Sequence, residues 1–317
     1  MIQFEQVSKR YNDQTFAVKS LNLEIKDGEF FVMIGPSGCG KTTTLKMINR
    51  LIELTEGSIR INGKRISDYD INELRWNIGY VLQQIALFPH MTIAENIAVV
   101  PELKHWNKEK TAARITDLLH MAGLDPDVYR NRKPGELSGG EQQRVGVLRA
   151  LAADPEILLM DEPFSALDPF SREKLQDDLL EIQRKLKKTI VFVTHDMQEA
   201  LKLGDRICMM KEGQVVQIGT PDELLTQPAD DFVREFIGSR RSKIGIDDLM
   251  TPALAIGTGL SAAKTIPFNT TLDKVLEHLT QAEQICVEEN GTIVGTINRE
   301  QALKVMSQYF KEGEQGA

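Results

Sequence analysis

The stretch Gly35-Pro-Ser-Gly-Cys-Gly40-Lys41-Thr42, followed by Thr43, lies between a continuous apolar run, Phe30-Phe-Val-Met-Ile34, and a helix-like segment. It matches the spacing G-x-x-x-x-G-K-[ST], and a strand before it and a helix after it are the context that spacing requires. Glycines let successive backbone N–H groups turn inward, and the helix start adds partial positive charge, so such a loop cradles phosphates. Lys41 is placed to reach the β- and γ-phosphates of a nucleotide, and the Thr42 hydroxyl to ligate Mg²⁺. The bland alternative is a Gly-rich turn that happens to contain Lys. The nucleotide-binding candidates are therefore Gly35, Pro36, Ser37, Gly38, Cys39, Gly40, Lys41, Thr42 and Thr43.

Outward from this loop, strand-like and helix-like segments alternate. Leu21-Asn-Leu23-Glu-Ile25 has period two, while Ile157–Met160 and Thr189–Val193 read as buried parallel strands. Gly57 to Ile61 followed by Asn62-Gly63 reads as a hairpin. Helices are expected over Glu109–Ala122, Glu141–Ala152, Arg172–Lys187 and Met197–Leu203, and short ones over Pro221–Gly238. The pattern predicts an α/β core with peripheral antiparallel strands. Asp161 and Glu162 close the apolar run Ile157–Met160. The first carboxylate can hold the metal and the second can orient or deprotonate an attacking water. An Asp-Glu pair alone is usually a solvated loop, and it becomes informative because the phosphate loop precedes it.

The chain of 317 residues suggests two or three domains. Its 41% hydrophobic and 26% charged residues fit a packed globular chain. The formal charge of −8, with a pI near 5.3, argues against a nucleic-acid partner bound by bulk charge. The sequence has no signal-peptide pattern and no apolar run of membrane-spanning length. Its three cysteines, Cys39, Cys208 and Cys286, are odd in number and widely spaced, so the expected setting is cytosolic.

A second anion-binding pattern decides the family. Leu137-Ser138-Gly139-Gly140-Glu141-Gln142-Gln143-Arg144 places Ser-Gly-Gly at a helix start. It resembles the signature of ATP-binding cassette (ABC) ATPases. That resemblance spans roughly Met1 to Ser239 and implies a P-loop NTPase cassette: a RecA-like core, an antiparallel β subdomain and a helical subdomain. It also implies ATP and Mg²⁺ as cofactors and a head-to-tail homodimer in which Ser138, Gly139, Gly140 and Glu141 cover the other copy's γ-phosphate. By the same resemblance Tyr11 stacks on adenine and Gln83 contacts metal and water. Ser165-Ala-Leu-Asp168 crosses the dimer interface, and His195 contacts the γ-phosphate. The catalytic set implied is Glu162 as general base with His195, Lys41 and Gln83, and the metal set is Thr42, Gln83 and Asp161.

A cassette without a fused membrane domain implies a separate permease, docked on the Gln83–Thr92 region by exposed apolar side chains such as Leu87 and Phe88. Leu87-Phe88-Pro89-His90-Met91-Thr92 and Gly219-Thr220-Pro221-Asp222-Glu223 resemble importer cassettes. Asp248-Leu249-Met250-Thr251-Pro252 resembles the opening of a cystathionine-β-synthase (CBS) motif, with a helix over Leu272–Thr280 and strands at Ile285–Val287 and Thr292–Ile297. The expected organisation is a cassette over 1–238, a linker over 239–245, a small α+β CBS-type motif over 246–310 and a polar tail over 311–317. Such a chain resembles the ATPase subunits of glycine betaine, choline, carnitine or proline importers. It implies a peripheral location on the cytoplasmic face of the membrane and an extracellular substrate-binding protein. Asn298 and Gln301 stand where ligand-binding CBS variants carry Thr and Asp, which argues against adenosine binding. A cyclic dinucleotide at the CBS dimer, ionic-strength sensing and plain dimerisation remain open. The alternative is an importer ATPase for another amino-acid-like or polyamine solute. DNA-repair cassettes carry an inserted coiled coil and translation-factor cassettes are duplicated; neither feature is present in this sequence.

Overall fold

The computed structural model describes residues 1–11, 15–165, 167–238, 249–252, 264–268, 270, 272–289 and 292–305. The chain divides into two compact units, Met1–Ile237 and Gly238–Ala317. The expected linker over 239–245 and tail over 311–317 lie outside the described residues, as do Asp248 and the start of the expected CBS motif.

The first unit opens with β1 (Ile2–Tyr11) and β2 (Thr15–Ile25), then β3 (Phe30–Ile34) and α1 (Lys41–Ile48). Next come β4 (Glu56–Ile61), β5 (Lys64–Arg65), α2 (Ile71–Trp76) and β6 (Ile78–Val81). A helical stretch follows: α3 (Ile93–Leu103), α4 (Lys108–Met121), α5 (Pro126–Tyr129) and α6 (Gly139–Leu151). The chain then alternates through β7 (Ile157–Asp161), α7 (Pro169–Leu186), β8 (Thr189–Thr194), α8 (Met197–Leu203) and β9 (Arg206–Lys211). β10 (Gln214–Gly219) and α9 (Pro221–Thr226) follow, and all but the last residue of α10 (Asp231–Gly238) closes the unit.

The central sheet has the order β10-β9-β3-β8-β7-β6. From β9 to β6 every pairing is parallel, and β10 joins antiparallel. Its strands read as unbroken apolar runs because both faces are covered. Phe30, Val32, Ile34, Leu158, Met160 and Phe192 pack with the helices, whereas Phe31, Met33, Leu159 and Val193 pack with the antiparallel sheet β2-β1-β4-β5. This layering sets the functional loops at the C-terminal ends of β3, β7 and β8, the usual location of ligand sites in such sheets.

Most expected strands are present with ends shifted by one or two residues, but β2 starts at Thr15, six residues before the expected Leu21, because its pairing with β1 runs on to Tyr11. Two helices start earlier than their apolar pattern suggests, because caps rather than apolar residues define the start. Ser138 and Glu141 form a capping box, so α6 begins at Gly139. Asp168 accepts from the Ser171 N–H and Pro169 occupies the first helical position, so α7 begins three residues before Arg172.

The second unit holds β11 (Thr251–Pro252), β12 (Lys264–Pro267), α11 (Leu272–Gln281), β13 (Gln284–Glu289) and β14 (Thr292–Asn298), and residues 299–305 are helical. The sheet order is β11-β14-β13-β12, with only the β12–β13 pairing parallel. Leu249, Ile266, Val275, Leu279, Ile285, Val287 and Ile297 form its core.

Candidate active site

Gly35 and Gly40 show why the phosphate loop needs glycine. Gly35 has φ +154° and a Cβ there would stand 2.1 Å from the Met210 carbonyl oxygen. Gly40 has φ +102° and its Cβ would stand 2.4 Å from the Ala17 carbonyl oxygen. Any side chain at either position collides with backbone, so the loop can lie this close to its neighbours only as glycine. Lys41 is 5% exposed, and its Nζ donates to the carbonyls of Gly35 at 2.8 Å and Pro36 at 2.9 Å. The ammonium is thereby fixed within the loop. Cys39 is buried beside it, with Sγ 3.7 Å from Lys41 Nζ, and burial raises its thiol pKa.

Thr42 and Asp161 meet. The Thr42 hydroxyl donates to Asp161 Oδ1 at 2.7 Å, while Tyr80 donates to Oδ2 at 3.4 Å and Lys46 Nζ lies 3.7 Å from Oδ2. Burial and the Asp161 charge together hold the Tyr80 phenol well above its usual pKa, so it stays a donor. Two adjacent hard oxygen donors beside a phosphate loop suit a cation that keeps water and phosphate oxygens as its other ligands. Mg²⁺ fits this set.

Glu162 is held in a left-handed backbone conformation, φ 44°, which costs a non-glycine residue energy. Its N–H donates to Val193 O at 3.0 Å, and its carbonyl accepts from the Ser165 hydroxyl at 3.0 Å. Two residues on, buried Phe164 packs against Phe192 with ring centroids 5.3 Å apart. These contacts aim the carboxylate at two of the expected partners: His195 Nδ1 lies 3.2 Å from Oε2, and the Gln83 amide donates to Oε2 at 3.3 Å. Gln83 makes no hydrogen bond to Thr42 or Asp161, so in this structure it stands with the carboxylate rather than with the metal pair.

Ser138, Gly139, Gly140 and Glu141 open α6 in the helical layer, and no hydrogen bond links them to the phosphate loop. Among the described residues outside its own helix turn, nothing lies within 4 Å of where a Gly139 Cβ would stand. Ser138 Oγ accepts from the Glu141 N–H at 3.3 Å, and Glu141 accepts from the Ser138 N–H at 2.8 Å. Glu141 is further fixed by the Tyr129 hydroxyl at 2.5 Å, a partner the sequence pattern did not single out. Its carboxyl pKa is lowered, first by that hydrogen bond. Asp168 sits at the N-cap of α7, two residues after Ala166, which lies outside the described residues. Tyr11 is 45% exposed at the end of β1, with Lys9 Nζ 5.1 Å from its ring.

One expectation fails between Gln83 and Thr92. Leu87 belongs to the core with Ile93 and Ile97, while Phe88 and Met91 are exposed. The reason is Asn96 on α3, which is fully buried. It accepts from the Phe88 N–H at 2.8 Å and donates to the carbonyls of Phe88, Met91 and Thr92. That clamp turns Leu87 inward and Phe88 outward. Among the described residues no helix is long and apolar enough to cross a membrane.

The sequence profile of the family described as ABC transporter matches residues 18–165. The glycine betaine/carnitine/choline transport ATP-binding protein OpuCA of Bacillus subtilis (strain 168) is 51% identical over 304 residues, covering 96% of this chain and 77% of that protein. The osmoprotectant import ATP-binding protein OsmV of Salmonella typhimurium is 53% identical over 246 residues, covering 76% of this chain and 64% of that protein. Among solved structures, the dimeric structure of MJ0796, a bacterial ABC transporter cassette, aligns with a TM-score of 0.63 at 38% identity. That match covers 70% of this chain and 99% of MJ0796. The same cassette is also solved as a dimer in a post-hydrolysis state bound to ADP and Pi, with a TM-score of 0.62.

Proposed function

The chain belongs to the ABC transporter family of ATP-binding subunits, and we propose that it powers import of a quaternary amine or related osmoprotectant of the glycine betaine, choline, carnitine or proline class. The observation that carries its chemistry is the shared contact of Gln83 and His195 on Glu162 Oε2, beside the Thr42–Asp161 pair. A carboxylate held by two neighbours at the end of a buried strand can take a proton from water attacking the γ-phosphate. Lys41 and the loop N–H groups bind the phosphates, and His195 stabilises the transferring group. Thr42, Asp161 and, after rotation of its amide, Gln83 are the residues to hold Mg²⁺, which when bound neutralises charge on the β- and γ-phosphates.

The signature loop at Ser138–Glu141 serves a second copy of the chain. Among the described residues Gly139 has open space above it, which suits the close approach of another copy's nucleotide in a head-to-tail dimer. Tyr11 is the candidate adenine platform, and Asp168 lies in the loop expected at the dimer interface.

Partner docking follows from Phe88 and Met91 rather than from Leu87. These side chains, held outward by the Asn96 clamp, suit a short apolar helix of a permease, and the chain then lies on the cytoplasmic face of the membrane. An extracellular binding protein delivers the solute without touching this chain. Phe88→Asp should leave the basal ATPase rate of the isolated chain unchanged while abolishing capture of the permease and its stimulation of ATPase. Retained stimulation in proteoliposomes would place the docking surface elsewhere.

The second unit is proposed to pair with its twin and to sense ionic strength or a cyclic dinucleotide at that interface. Asn298 Oδ1 accepts from the Glu300 N–H at 2.9 Å and Gln301 Oε1 from the Thr251 hydroxyl at 3.1 Å, so both side chains serve local structure. Truncation of residues 246–317 should remove the response of reconstituted transport to salt and cyclic dinucleotide. A full response in the truncated protein rejects a sensing role.

A further inference from the structure

Beside the hydrolytic residues lies a polar cluster that joins the loop ending at Asp168 to the strand end carrying His195. Arg172, in the first turn of α7, donates from Nη2 to the Leu167 carbonyl at 3.3 Å. Its Nη1 lies 3.8 Å from Asp196 Oδ2, and its Nε lies 3.9 Å from Glu199 Oε1. That Nε is buried and makes no hydrogen bond among the described residues. Such a group costs free energy until an acceptor comes within reach.

Glu199, on α8, is 6% exposed. Its Oε2 accepts the Thr194 hydroxyl at 2.5 Å, and Thr194 Oγ1 accepts the Asp196 N–H at 2.9 Å. Thr194 and Asp196 flank His195, so the peptide carrying the histidine hangs from Glu199. Burial raises the Glu199 carboxyl pKa, as does the Asp196 charge, while the Thr194 hydrogen bond, Arg172 and His195 oppose the shift. Glu162, Ser165, Arg172, His195, Asp196 and Glu199 all line one small cavity of about 40 Å³.

We propose that Arg172 and Glu199 form a latch that couples Leu167, just before α7, to the segment carrying His195. A movement of about 1 Å brings Nε into hydrogen-bond range of Glu199. Closure then holds the Thr194–Asp196 segment, and with it His195, against Glu162. Arg172 and Glu199 are positioning residues in this scheme. The latch rests on Glu162 and His195 being the hydrolytic residues.

The test compares Arg172→Ala, Glu199→Gln and the double variant with the native chain and with Glu162→Gln. Glu199→Gln keeps an acceptor for Thr194 and the native shape, so it carries the test should Arg172→Ala fail to fold. Each single variant should lose about 10- to 100-fold in kcat, the scale of a roughly 1 Å misplacement, with KM for ATP within about twofold of native. The double variant should be no worse than either single one, because both break the same contact. Native kcat in the single variants, losses that multiply in the double variant, or losses matched by raised KM and lowered melting temperature overturn the latch. A native rate in Glu162→Gln overturns instead the hydrolytic assignment beneath it.

Discussion

The Glu162→Gln variant is expected to lose about 10²–10⁴-fold in ATP turnover while still binding ATP, the range set by loss of a general base. Glutamine keeps the shape and can still meet His195 and Gln83, which stand 3.2 and 3.3 Å from Oε2 in the native chain. What it loses is the ability to accept a proton from water. The left-handed backbone at Glu162 is imposed by its bonds to Val193 and Ser165 and by the Phe164 anchor, so it should survive the change. Single-turnover hydrolysis alongside ATP-binding titrations checks this directly. A native rate would mean that another group activates the water.

Lys41→Ala should instead weaken binding. The native ammonium is 5% exposed and already fixed by two carbonyls, so little side-chain freedom remains to be lost when a phosphate arrives. Removing a charged hydrogen-bond donor to phosphate costs about 1.5–3 kcal/mol, which weakens ATP binding about 10- to 100-fold. Calorimetric titration with ATP reads the change, and an unaltered Kd would remove Lys41 from the phosphate site.

These two residues were legible in the sequence for different reasons. Lys41 sits in a spacing that is nearly self-sufficient, because the loop, strand and helix are contiguous. Glu162 gained meaning only from the apolar run before it and the phosphate loop far upstream. The central sheet was legible because its strands, buried on both faces, read as unbroken apolar runs such as Phe30–Ile34. Helix α3 was not read: Pro101 and its mixed pattern hide it, although Thr92 and Glu95 form a capping box visible as T-x-x-E.

Side-chain direction was less legible. Leu87 and Phe88 are adjacent and similarly apolar, and what separates core from surface is Asn96, eight residues beyond Phe88. Arg172 and Glu199 look like ordinary charges on helical surfaces. Only the approach of α7 to α8 shows that they meet between two functional segments. Tyr129 likewise becomes relevant once the fold sets its hydroxyl on Glu141. Long-range pairings of this kind leave no periodic trace in a single sequence.

The function proposed for this chain is to couple ATP hydrolysis to solute import through a separate permease. The most direct measurement is ATPase activity of the chain assembled with its permease in proteoliposomes, with glycine betaine, choline, carnitine or proline offered on the side opposite the cassette together with the binding protein. At least one of these solutes should raise ATP turnover and accumulate in the compartment facing the cassette, and both effects should vanish with Glu162→Gln. ATP turnover indifferent to every solute of this class, with no accumulation, would contradict the proposed function.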